Sequence, residues 1–165
     1  MNAHDILKYG HLWVHKHLEG LTEEQWMAPN VCGVWSVKDI VAHLTSYEWV
    51  LVDVFSACVQ SAPTPMLDQL TSMDGDSFNE VQVGKRKNDS VQKIYEEYNQ
   101  AYEEVMKIMP RISEDELRQP GTIPWYGNEY SLDDFIVYQY YGHKREHCAQ
   151  IAVYRDKITD IGSPI

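Results

Sequence analysis

Apolar positions along the chain recur at helical spacing, and four stretches sustain the pattern over several turns. In residues 3–19, Leu7, Val14 and Leu18 share one side, widened by Ile6 and Trp13, which predicts a first helix. Residues 36–59 repeat the pattern with Val37, Ile40, Val41, Leu44, Leu51, Val52 and Phe55, and the Ser36-x-x-Asp39 start signal precedes them. In residues 91–109 the positions Val91, Tyr95, Tyr98, Tyr102, Val105 and Met109 alternate by four and three up to Pro110, a seam for packing against another helix. The last stretch, Ser131 to Lys157, opens on an N-cap serine with Asp133 and Asp134 at the positive end of the dipole. No proline interrupts it, and Gly162 and Pro164 follow as stop signals.

The connections carry their own marks. Thr22 and Gln25 form a capping-box pattern opening a turn before Pro29, and Ser113 with Glu116 starts another. Residues 60–89 read as irregular, with Pro63 and Pro65, apart from a short helix over 77–86 capped by Asp76. Lys85-Arg86-Lys87 reads as a solvated helix end, and Trp125 and Tyr126 in the loop before the last helix are placed to close one end of a pocket. With no internal repeat or interdomain linker, the expectation is one domain over 1–165. Its class is all-α, an antiparallel four-helix bundle with a long crossover between helices two and three.

Charge narrows the function. Against 14 basic residues stand 25 acidic ones, a net charge of -11, which repels phosphate backbones and anionic membrane surfaces. The longest apolar run, Trp49 to Val59, is broken by Asp53 and is too short to span a bilayer. Asn2, Ala3, His4 and Asp5 behind Met1 give no sign of a signal peptide, and Cys32, Cys58 and Cys148 show no CxxC spacing. The expectation is a soluble, reduced, cytoplasmic protein that binds neither nucleic acid nor membrane.

The chemistry lies in the last helix. At 3.6 residues per turn, Leu132, Ile136, Gln139, His143, Glu146, His147, Gln150 and Tyr154 share one face. Its ends are apolar and its middle is not, and burying unpaired imidazole, amide or carboxylate groups costs on the order of a few kcal/mol each. His143 and His147, four residues apart, are placed to hold a metal ion. Paired helical histidines are also often surface residues or hydrogen-bonded core residues. His11 and His15 repeat the spacing on the flank of the first helix, where a half-exposed position is expected, and His17 falls nearer the centre of that stripe. His43 sits on the shoulder of the second helix with Tyr47, while Glu48 lies among apolar positions with its role open.

GVWSVKDIVAHLTSYEW and GHKREHCAQIAVYRD, with DGDSFNE, ISEDEL and YGHLW in the same order, resemble the DinB-like family of metalloenzymes. The resemblance implies that His43, from the second helix, joins His143 and His147 around a divalent metal at one end of the bundle, with a cavity facing the open positions. It also implies a homodimer and a small-molecule substrate. Relatives include transferases and isomerases that use low-molecular-weight thiols such as bacillithiol or mycothiol. Three neutral imidazoles suit zinc, nickel, iron or copper and leave positions open for water or substrate. Glu146, Gln139 and Gln150 are candidates to orient the rings, and Tyr47 to line the cavity. The expected activity is a metal-dependent, thiol-dependent S-transferase or isomerase; the alternative is a non-catalytic bundle that sequesters a small ligand or metal. His143-Lys-Arg-Glu146-His147 also fits the HxxEH peptidase signature. That signature needs a downstream glutamate, and none occurs among the 18 residues after His147.

Overall fold

A computed structural model of the chain describes residues 2–161, and helices and their connections account for all of it. Gly162 and Pro164, the expected stop signals, lie outside the described residues. No strand forms among them; Cys32 and Trp35 make one isolated bridge in the loop before the second long helix.

Four long helices appear where the apolar periodicity places them. They are α1 (Ala3–Leu18), α3 (Val37–Val59), α6 (Val91–Ile108), and a last helix of three joined parts. Those parts are α8 (Leu132–Phe135), a π-helical segment (Ile136–Gly142) and α9 (His143–Ile161). Short helices α2 (Glu23–Met27), α4 (Pro65–Thr71), α5 (Gly75–Lys85) and α7 (Glu114–Arg118) fill the connections. The starts follow local chemistry: Thr22, Ser36, Ser113 and Ser131 each close a capping box with the residue three positions on.

Two apolar clusters set the helix directions. One gathers Ala3 and Leu7 with Phe55, Val105 and Ile136; the other gathers Val14 and Leu18 with Ile40, Ile94 and Ile151. The first and last long helices therefore run one way, and α3 and α6 the other. The crossover makes this arrangement reachable: α3 and α6 enter side by side from one end, where Lys38 Nζ donates to the Lys87 carbonyl at 2.8 Å. Farther along, Trp49 Nε1 donates to Glu97 at 3.0 Å. Around the bundle α1 packs on α6 and α9, and α3 packs on those same two helices. No helix among the described residues is long and apolar enough to cross a membrane.

Several local expectations need correction. The stretch 60–89 is not irregular up to residue 77, because α4 forms there. Pro65 starts it, and the Asp53 carboxylate, brought from α3, accepts from the Met66 and Leu67 amides at 2.6 and 3.1 Å. α5 is capped by Asp74 rather than Asp76. Arg86 is not solvated: it is buried and grips Glu97 with two hydrogen bonds, 2.9 and 2.7 Å. On α6 the fully buried line is Ile94, Tyr98, Ala101 and Val105, with Tyr95 and Tyr102 on its edge. On α1 the buried line runs through His11, not His17.

Candidate metal centre

Two helices deliver three histidines to one point. α3 carries His43 just past Val41, one turn into its buried stripe, and α9 opens on His143 with His147 a turn later. His43 Nε2 faces His143 Nε2 at 2.8 Å, and His147 Nε2 faces the same atom at 3.0 Å. His43 and His147 are buried and His143 is half-buried. The π segment ends one residue before His143. Such wide turns shift the phase of the helix beyond them and often mark functional positions. One continuous 3.6-residue face from Leu132 to Tyr154, as the sequence suggests, is therefore not what forms. Glu146, assigned to that face, is exposed.

Aromatic rings wall the cluster. The Trp35 ring centroid lies 4.9 Å from that of His43, and the Tyr47 centroid lies 5.0 Å from that of His43 and 4.9 Å from that of His143, both in edge-to-face arrangement. The Tyr47 hydroxyl donates to Asn79 Oδ1 at 3.3 Å, and the Tyr140 hydroxyl donates to the Tyr47 carbonyl at 2.6 Å, tying the last helix to α3. The outer ring nitrogens decide which nitrogen faces the centre. His147 Nδ1 donates to Gln150 Oε1 at 2.8 Å, so its Nε2 presents a lone pair. The backbone carbonyl of Gln139 lies near the His143 ring and weakly favours its charged form. The Gln139 side chain turns elsewhere and donates to the Tyr126 hydroxyl at 3.3 Å. His43 Nδ1 has no hydrogen-bond partner; the nearby Asn79 side chain favours the charged ring only weakly.

Burial keeps all three rings neutral. Desolvation, then the neighbouring His143 and His147, lowers His43 from 6.5 to about 2. Desolvation followed by His147 and Lys144 lowers His143 to about 3, and desolvation leads again in lowering His147. Neutral imidazole is the form that binds metal.

Hydrogen bonding among the three rings cannot account for their contacts. The in-plane position of an imidazole nitrogen holds either one N–H or one lone pair, so it serves one partner. His143 Nε2 has two at hydrogen-bond distance. With His147 Nδ1 donating to Gln150, its Nε2 is a lone pair, so a single N–H on His143 Nε2 would have to be shared between His147 and His43. A cation accepts all three lone pairs together, and nitrogens about 2.0–2.1 Å from one tetrahedral ion stand roughly 3.3 Å apart. With the candidate ligand atoms all within 4.8 Å of one another, the residues fit a divalent ion.

Two of the remaining histidines, His11 and His15, form a different cluster at the α1–α6 seam. His15 Nε2 lies 2.7 Å from His11 Nε2, and His15 Nδ1 lies 2.5 Å from the Tyr95 hydroxyl. His11, expected half-exposed, is buried and stacks on Tyr102 with ring centroids 3.6 Å apart. A cleft of about 750 Å³ opens beside His15 and Tyr95, lined also by Trp26 and Leu21. This cleft lies between α1, α2 and the start of α6, and none of its lining residues belongs to the triad. Trp125 instead lines a smaller cavity of about 290 Å³ with Cys58 and Leu67.

Two charged residues were not recognised as part of the centre. Glu48 and Lys144 are fully buried and form an ion pair immediately behind it. A signal was present for Lys144: Tyr140, Lys144, Cys148 and Ile151 are spaced four, four and three, and all are buried.

Comparison with known proteins adds one match. The model of a family described as the DinB superfamily covers residues 14–151, a span holding all three histidines of the triad. No curated protein and no solved structure matches the chain.

Proposed function

We propose, for a chain that belongs to the DinB superfamily, a metal-dependent enzyme acting on small molecules through a divalent ion held by His43, His143 and His147. The observation that carries this reading is the convergence of three Nε2 atoms, the central one facing two nitrogens with one in-plane site to offer. A divalent ion there would supply a positive centre able to stabilise an anion such as a thiolate at neutral pH. The chain's own residues do the rest. Gln150 fixes the orientation of the His147 ring. Trp35 and Tyr47 restrict water around the cluster, and half-buried His143 marks the side open to solvent.

The reaction class within this reading is thiol-dependent transfer or isomerisation. Burial pushes the Cys148 thiol up to about 12 and raises that of Cys58, so neither is an activated nucleophile. The assignment of the nucleophile to a separate low-molecular-weight thiol follows the resemblance to thiol-dependent members of the family. A cytoplasmic homodimer completes the proposal, with zinc, nickel or iron as the ion. Elemental analysis of purified protein, then a panel of thiols and electrophilic acceptors with metal added back, tests it. Near-stoichiometric metal with metal-dependent turnover is expected. A second reading, a binding protein that sequesters a ligand without chemistry, draws on the 750 Å³ cleft at the seam away from the triad; tight ligand binding without turnover across the panel would favour it.

A further inference from the structure

Glu48 and Lys144 are 0% and 2% exposed. Apart from each other, neither has a polar partner among the described residues: both carboxylate oxygens and Nζ lack any further hydrogen bond. A buried ion pair without supporting hydrogen bonds is a poor source of stability, because desolvating both charges offsets most of their attraction. Its position is informative. Glu48 follows Tyr47, whose ring edges both His43 and His143, and Lys144 follows His143 itself. The lysine stem passes through the interior beside Gly10 of α1, where a Cβ would stand 3.6 Å from Lys144 Cδ and 3.2 Å from the Tyr141 ring. The ammonium ends 5.9 Å over the Tyr98 ring.

Immediately before these residues lies the seven-residue π segment Ile136–Gly142. π turns are rare, and closing one to ordinary α geometry shifts the following helix by one residue, about 100° of rotation. That rotation would carry His143 away from His43. Apolar contacts tolerate such sliding, whereas a directional contact between two charges in an apolar interior selects one register.

We infer that the buried Glu48–Lys144 ion pair is a positioning element of the metal centre: it pins α9 against α3 in the one register that brings His143 to His43. The inference rests on the proposed metal reading. Neither residue touches the ion; both act through His143.

The test uses the full-length protein and two measurements, zinc affinity by competition with a chromophoric chelator and the visible spectrum of the cobalt-substituted centre. Glu48→Gln with Lys144→Met removes both charges while keeping shape, so the double variant should retain a cooperative melt. Its zinc affinity should fall by about 10- to 100-fold, the usual range for residues that orient ligands, and its cobalt spectrum should change. Lys144→Arg keeps the pair but moves the charge, and should weaken zinc several-fold while the metal-free melting temperature stays near that of the wild type. This second variant carries the test if the double variant does not fold. Wild-type zinc affinity and an unchanged cobalt spectrum in the folded variants would overturn the inference. Failure of the wild-type protein to bind zinc or cobalt is a separate result, and overturns the metal reading together with the positioning role that rests on it.

Discussion

α1 and α9 each carry two histidines four residues apart, and the bundle turns them into different objects. On α1, His15 Nδ1 meets the Tyr95 hydroxyl and His15 Nε2 meets His11 Nε2, so each contact can hold one donor and one acceptor. The chain is linear and needs no ion for these two contacts, though it leaves the buried His11 Nδ1 without a hydrogen-bond partner among the described residues, and the His11 ring stacks on Tyr98 and Tyr102. On α9, His43 arrives from α3 as a third ring, and His143 Nε2 faces two nitrogens with capacity for one. The lesson is one of valence: two imidazoles and a phenol make a satisfiable relay, whereas three imidazoles meeting at one atom call for a cation.

The strongest way to break this comparison is to remove a ring from each side. His147→Ala should lower zinc affinity by at least about 100-fold, reflecting a lost first ligand, while His11→Ala should leave the metal content of purified protein unchanged. Equal metal loss in both variants would dissolve the distinction.

Acid should act next most strongly, and on both clusters. Desolvation first holds His11 and His43 at about 2 and His143 at about 3, against about 6.5 for the unfolded chain. The folded state therefore binds fewer protons below pH 6.5. The stability from these neutral rings is complete above that value and is lost as pH falls through the window toward about 2–3. Between pH 7 and 5, before most carboxylates titrate, the denaturation midpoint of metal-free protein should drop steadily, and the drop should be smaller in His11→Ala. Zinc should raise the melting temperature at pH 7.5 and do so progressively less toward pH 5, because protons compete for the same nitrogens. A zinc effect of equal size at both pH values would contradict histidine ligation.

Smaller effects sharpen the α1 side. Truncating His11 empties a buried, stacked site, and His11→Ala should destabilise the metal-free protein by about 2–3 kcal/mol in chemical denaturation. Tyr95→Phe removes only the hydroxyl that meets His15, with an expected loss of about 1 kcal/mol and no change in zinc affinity. A weaker affinity in Tyr95→Phe would mean that the two seams communicate.

Much of the fold was legible because its signals are local. Ser36 with Asp39 and Ser131 with Asp134 close their caps within one turn, and the apolar spacing of α3 reports burial directly. The features that escaped the sequence pattern depend on partners far along the chain. α4 starts where Asp53, from α3, accepts its first amides. Arg86 is buried because Glu97 meets it, and the polar edge of α6 is set by the residues α1 lays against it.

The site divides along the same line. By itself the sequence offered residues with the chemistry to hold a metal: His143 and His147 on one side of the last helix, and His43 on the shoulder of the α3 stripe, which the family resemblance rather than its spacing joined to them. Residue type and helical spacing are properties of the chain, and both are readable before it folds. Only the tertiary structure decided that His11 and His15, with identical spacing, are held as a hydrogen-bonded pair. It alone placed Glu48 opposite Lys144, and it alone admitted a π segment just ahead of His143. Each of these depends on the distance and register between helices, which α3, α6 and the last helix fix jointly when their two apolar clusters close.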